Sequence, residues 1–212
     1  RQMCIRDRYV VGSEPGSYLY CGLSRDASKE EILERINNNT ITDILNKIEV
    51  KAGDVVMVKA GTIHAIGAGV FICEIQQNSN CTYRMYDYDR RDKFGNPREL
   101  HVKKALDVVD NHKYIKDNKT EVVIARNEHF TEERLVQCKY FEVYKYDVND
   151  EAKITVDEAS FVSVLFINGS GTIETDDYEK TMEFKAGDSF FVSAGLRSII
   201  IKGQATMVVT RV

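Results

Sequence analysis

The chain has 212 residues, with 29 basic and 33 acidic side chains and a formal net charge of −4. That balance lacks the basic footprint of a nucleic-acid binder, and no apolar run approaches the length of a membrane span. Hydrophobic residues make up 43% and charged residues 29%, as in a soluble globular chain long enough for one large domain or two small ones. Five cysteines (Cys4, Cys21, Cys73, Cys81 and Cys138) without a Cys-x-x-Cys spacing argue against a disulfide framework or a cysteine zinc site. They fit reduced thiols in the cytoplasm.

Residues 1–8, RQMCIRDR, match no pattern in the rest of the chain. They resemble translated adapter read-through and are expected to be a non-native leader, with the native protein continuing upstream. Residues 9–11 read as the remnant of a strand, and 18–23 as a second strand after the turn Glu14-Pro15-Gly16. Ser28 and Glu31 form a capping box ahead of the apolar stripe Ile32, Leu33 and Ile36. Asn37-Asn38-Asn39 ends that helix. Ile41, Ile44, Leu45 and Ile48 recur at i, i+3, i+4 and i+7, which predicts a second short helix.

From 55 to 88 the pattern turns to sheet. Residues 55–58 are a strand, and Gly61, Gly67 and Gly69 punctuate the next turn and strand. Residues 71–77 and 81–88 flank Asn78-Ser79-Asn80 as a hairpin. Centring the loop on Ser79 pairs Glu74 with Arg84 and places Ile72, Glu74 and Gln76 on one face. A one-residue slip would undo that pairing. Asn96 and Pro97 read as the start of a helix that runs to about Val109. Residues 111–120 are a polar connector. Beyond it the sequence alternates like an antiparallel sandwich or barrel, with strands expected at 121–125, 134–146, 153–156, 161–167, 171–174, 189–192, 199–201 and 205–212.

An internal repeat ties the two halves together. KAGDVVMVKAGTIH at 51–64 aligns without gaps on KAGDSFFVSAGLRS at 185–198. Gly53, Asp54, Val58, Ala60 and Gly61 match Gly187, Asp188, Val192, Ala194 and Gly195, while His64 falls opposite Ser198. Two copies of one β-unit are expected, and only the first carries a histidine.

The run G-D-x-x-x-V-x-A-G-T-x-H, from Gly53 to His64, resembles the second half of the cupin metal motif. The longer string GTIHAIGAG…EIQQNSNCTYRMYDYDR, with NPRELHVKKALDVV after it, resembles the type I mannose-6-phosphate isomerases in their short bacterial form. The resemblance implies a mainly β fold of tandem cupin (jelly-roll) barrels with a few short helices. The first barrel, 9–110, would be incomplete and catalytic, and the second, 121–212, degenerate. It also implies one zinc ion, a hexose phosphate substrate, and interconversion of mannose 6-phosphate and fructose 6-phosphate.

On that resemblance His64 is a zinc ligand, Arg84 the catalytic arginine and Glu74 a site-lining glutamate. The remaining ligands belong to an upstream Gln-x-His segment and to a Glu-x-Trp-Tyr-like segment, of which this chain begins at about the tyrosine. The residues present would then not build the whole site, and the chain alone is expected to be inactive.

Taken alone, each residue has a plainer reading. His64 could be a satisfied turn histidine. Arg84 could be a cross-strand ion-pair partner, or it could stabilise enediolate charge. Glu74 could carry a proton or merely orient Arg84. Tyr83, Tyr86 and Tyr88 read as packing. His101, His112, His129 and the charged run 89–93 read as surface. Two other functions use the same fold: a non-enzymatic sugar-binding or regulatory double cupin, and a metal-dependent oxygenase, which would need ligands suited to iron.

Overall fold

The computed structural model describes residues 6–79, 82–116, 122–175 and 181–212. Residues 1–5 of the leader, Asn80 and Cys81 of the expected hairpin, and 117–121 in and after the connector lie outside the described residues. The fold is mostly antiparallel sheet in two compact units, residues 1–116 and 117–212. Among the described residues no helix is long and apolar enough to cross a membrane, and Cys21, Cys73 and Cys138 are free thiols.

Unit 1 opens with β1 (Arg6–Ser13) and β2 (Tyr18–Leu23). Helix α1 (Lys29–Asn37) starts where expected: the Ser28 hydroxyl accepts the Glu31 N–H at 3.1 Å. The reciprocal half of the capping box is not made. The Glu31 carboxylate instead takes Arg25 and Arg35, the latter at 2.9 Å and one turn away, and these two hydrogen bonds hold its pKa down at about 2. Asn39 in the left-handed conformation (φ 58°) ends the helix.

The second short helix is a correction. Ile41–Ile44 form one 3-10 turn, and the chain continues as β3 (Leu45–Glu49) paired with β2. Eight residues of apolar spacing fit a helix or a turn running into a strand. The open edge of β2 decides between them.

Strands β4 (Val55–Val58), β5 (His64–Ile66) and β6 (Val70–Gln76) complete two three-stranded sheets, ordered β4-β1-β6 and β3-β2-β5. Helix α2 spans Val102–Val108, several residues later than Asn96 and Pro97 suggest. Asp92 explains the delay. Its carboxylate accepts the backbone N–H of Phe94 and of Asn96, and the Asn96 amide also turns toward it, so this segment closes as a turn.

Unit 2 is one sheet of eight strands. β7 (Val122–Arg126), β8 (Phe130–Gln137), β9 (Glu142–Val148) and β10 (Glu151–Val156) are followed by β11 (Val162–Thr175), β12 (Met182–Lys185), β13 (Ser189–Val192) and β14 (Arg197–Arg211). The single strand expected over 134–146 is split by a turn, and β12 has no sequence signal. Conversely, the expected breaks near Gly169 and Gly203 do not occur. β11 and β14 run through them, because these glycines let two backbones approach. A Cβ on Gly169 would meet the Gln204 carbonyl, and one on Gly203 the Ser170 carbonyl at 2.5 Å.

The internal repeat holds at the level of single hydrogen bonds. Asp54 accepts the Lys51 N–H at 2.8 Å, and Asp188 the Lys185 N–H at 2.9 Å. Gly53 donates to Val10 while Val10 donates to Asp54. Gly187 donates to Phe166 while Phe166 donates to Asp188. The β1–β4 register (Arg6 opposite Val58, Arg8 opposite Val56) recurs as Val162 opposite Val192 and Val164 opposite Phe190. Gly53 and Gly187 have φ of 94° and 89°, each with open space where a Cβ would go. Gly53→Ala and Gly187→Ala are therefore expected to cost alike, about 1 kcal/mol each, from backbone strain alone. Urea midpoints check this, and unequal costs would show that the two turns are not equivalent.

Candidate functional site

His64 opens β5, opposite Cys21 of β2. Its Nδ1 lies 2.7 Å from the Thr62 carbonyl oxygen. A carbonyl can only accept, so Nδ1 carries the proton and Nε2 keeps its lone pair. Burial, then the charge of Arg8, pushes the imidazole pKa down to about 4, against the opposing Thr62 hydrogen bond. His64 is thus a neutral, oriented imidazole, the form in which histidine binds metals.

Glu74 lies on β6, and its partner corrects the sequence reading. β6 pairs with β1, with Glu74 opposite Arg8, and residues 82–88 form no strand. The Glu74 carboxylate accepts Arg8 Nε at 2.7 Å, and Arg6 Nη1 lies at 3.7 Å. The Arg8 side chain is 4% exposed. Among the described residues the expected hairpin does not form, and β6 pairs instead with β1, whose Arg8 is 66 residues from Glu74. Three of the eight residues set apart as leader, Arg6 to Arg8, thus stand in a paired strand.

Arg84 belongs to a different arrangement. Its guanidinium donates to the Glu99 carbonyl at 3.2 Å, and Nε lies 4.0 Å from Asp87. Its backbone exchanges contacts with His101: the His101 N–H donates to the Arg84 carbonyl at 2.7 Å. Asp87 is the hub, buried and accepting from Arg90 and twice from Arg98 at 2.8–2.9 Å. Those hydrogen bonds, Arg98 first, hold its pKa below the usual carboxylate range. Residues 89–93, read as surface, are exposed, while Asp87 just before them is buried and gathers Arg90 and Arg98. Tyr86 and Met85 pack on the cluster of Ile32, Ile36 and Ile44 that supports this side of unit 1.

A cavity of about 290 Å³ lies in unit 2, lined by Phe141, Glu142, Thr155, Ser160 and Arg211 among others. It contains none of the three candidate residues. By strand register, the unit 2 counterparts of Arg8 and Glu74 are Val164 and Val209, both fully buried, and Ser198 stands for His64. Unit 2 has the frame of unit 1 with buried valines at the positions of Arg8 and Glu74.

The model of the family described as mannose-6-phosphate isomerase, cupin domain, matches residues 131–212. Among curated proteins, the chain is 41% identical to YvyI of Bacillus subtilis, named provisionally as a mannose-6-phosphate isomerase, over 96% of its own length. It is 33% identical to the mannose-6-phosphate isomerase ManA of the same organism over 95%. The crystal structure of mannose 6-phosphate isomerase from B. subtilis superposes with a TM-score of 0.89 at 34% identity, covering 99% of this chain and 65% of that one. Over nearly its whole length the chain is similar to mannose-6-phosphate isomerases, and residues 131–212 match that family's cupin domain. The chain spans 63% of the length of YvyI and 62% of ManA. A mutant phosphomannose isomerase from Salmonella typhimurium shares the fold at 12% identity and a TM-score of 0.68.

Measured against the zinc ion that the sequence resemblance implies, the donor set is short. Among the described residues no three His, Cys, Asp or Glu side chains gather as a metal site. His64 is suitably presented, but Glu74 is already neutralised by a guanidinium. Zinc sites use three or four protein ligands. The described residues do not by themselves fit a zinc ion.

Proposed function

We propose that the protein is an aldose–ketose isomerase that interconverts mannose 6-phosphate and fructose 6-phosphate in the cytoplasm. The observation that carries this reading is identity of 33–41% over nearly the whole chain to proteins bearing the isomerase name. In this reading His64 contributes one ligand to a zinc ion whose other ligands lie outside this chain's residues. A bound zinc would polarise the sugar's carbonyl and hydroxyl oxygens.

The chain's own residues supply the rest. Arg84, held by Glu99 and the Asp87 hub, is the fixed cation for charge developing on an enediolate. Glu74 is the candidate for moving the proton between C1 and C2, and would have to be released from Arg8 to do so. Such an enzyme takes a small hexose phosphate and needs neither nucleic acid nor membrane.

The test is a coupled assay on two proteins: this chain, and a version extended from the same coding region to the length of ManA. The extended protein is expected to turn over both hexose phosphates and to lose activity to a chelator. Arg84→Ala in it is expected to lower kcat by roughly 100-fold or more. The 212-residue chain is expected to show no turnover. An extended, folded protein inactive on both sugars would sink the reading.

A further inference from the structure

We infer that unit 2 carries a binding site of its own for a small organic oxyanion, a phosphate ester or a carboxylate, in the cavity between the β8–β9 turn, the β10–β11 loop and the end of β14. None of His64, Glu74 and Arg84 lies in unit 2, so this site stands apart from the isomerase reading. At about 290 Å³ the cavity is at the lower end of the range for small-molecule pockets, the size of a metabolite.

Its polar lining divides by charge. The Glu142 carboxylate accepts the Tyr144 hydroxyl at 2.7 Å and also the Gln137 amide. The Asp157 carboxylate accepts the N–H groups of Ala159 and Ser160 at 2.9 and 3.2 Å. The Ser160 hydroxyl donates to the Phe161 carbonyl and accepts the Val212 N–H. The acids and this hydroxyl are therefore engaged within the protein, and the cations are not. Arg211 Nε is buried and, among the described residues, has no hydrogen-bond partner. The Arg211 guanidinium lies 5.6 Å from the Tyr144 ring centroid, a contact that orients it. Lys139, exposed on the β8–β9 turn, has the Tyr140 ring 5.8 Å from its ammonium. A buried guanidinium N–H without an acceptor is costly, and the acceptor that its fork matches is a carboxylate or phosphate oxygen.

The internal repeat supplies an independent observation. Val10 stands opposite Ile72 as Phe166 stands opposite Met207, and both exchange hydrogen bonds with equivalent turns. Along the same face of each strand, Glu74 then corresponds to Val209 and Gln76 to Arg211. Met207 and Val209 are fully buried core. Arg211 is thus the polar residue that ends the strand face on which unit 1 carries Glu74.

The experiment is binding of inorganic phosphate and of citrate to the 212-residue chain, at constant ionic strength made up with sodium chloride, with mannose as the neutral control. Two readouts report on the cavity: the NMR signal of Arg211 Nε–H, and the rate of Cys138 alkylation by iodoacetamide, located by peptide mass spectrometry, since Cys138 is in the lining. At least one oxyanion is expected to shift the Arg211 signal saturably and to slow Cys138 alkylation, while mannose does neither. A response to phosphate alone assigns the phosphate class, and one to citrate alone the carboxylate class. Arg211→Gln is expected to weaken binding by about 10-fold or more, and Lys139→Gln by less. Circular dichroism checks the fold of each variant. No saturable shift with either oxyanion overturns the inference, as does a response that chloride reproduces or a folded Arg211→Gln chain that binds like the parent. The parent's Arg211 signal decides the matter even where that variant does not fold. Turnover of the extended protein decides the isomerase reading separately.

Discussion

Asp7→Ala is expected to stabilise the chain by roughly 2–4 kcal/mol at pH 8, the reverse of most substitutions at fully buried positions. Asp7 sits on β1 opposite Met57 of β4 and Ile75 of β6, with no exposed surface. Among the described residues neither carboxylate oxygen has a hydrogen-bond partner, and the neighbouring Arg8 amide, which lowers the pKa, counts for less than burial, which raises it. Burial therefore dominates and pushes the pKa up to about 7. The same unshielded charge adds to burial in raising the Cys73 thiol to about 11.

The sign of the pH dependence comes from the same shift. The unfolded carboxylate releases its proton near pH 4, whereas the folded one keeps it to about 7. Between those values unfolding releases a proton, so each rise in pH favours the unfolded chain. The stability is fully present below about pH 4, falls through the window, and levels off above 7 at a loss of at most about 4 kcal/mol. Urea midpoints at several pH values, compared between the parent and Asp7→Ala, isolate this group from the others. A difference that does not grow between pH 4 and pH 7 would mean that Asp7 is solvated or paired.

Asp7 also marks where sequence and fold part company. RDR fits no pattern nearby, which sets the leader apart, and the strand it enters carries Arg6, Asp7 and Arg8 where unit 2 carries Val162, Ser163 and Val164. Local conflicts of this kind stand out once the frame is known. The frame itself is legible where its signals are local. Ser28 caps its helix through the Glu31 amide, and the KAGD turns reproduce their hydrogen bonds in both units. The pairing of Glu74 is not legible. Alternation says which residues share a face but not which strand lies alongside, and the partner is 66 residues away. Arg84 stands out in the sequence as a residue of interest, yet its surroundings depend on Asp87 gathering Arg90 and Arg98. A run of mixed charges does not announce that one of its carboxylates is buried.

Phe166→Ala is expected to destabilise unit 2 by about 3–5 kcal/mol. Phe166 is fully buried, stacked on Phe184 with ring centroids 3.7 Å apart, and meets Phe190 edge-on at 5.9 Å. It occupies the place in β11 that Val10 has in β1, exchanging backbone hydrogen bonds with the Gly187–Asp188 turn. Its removal would leave a void between two aromatic rings at a strand irregularity, where the backbone is held by β14 on one side and by the Gly187–Asp188 turn on the other. Such a site collapses poorly, which places the cost at the upper end for an aromatic. Phe191→Ala, on β13 but 70% exposed, is the control, with an expected cost below about 1 kcal/mol. Calorimetry on both variants reads the difference, and equal costs would refute the account of the core. The contrast also separates the two units: where unit 1 buries Asp7 and Arg8 on β1, unit 2 carries Ser163 and Val164 and packs Phe166 against Phe184.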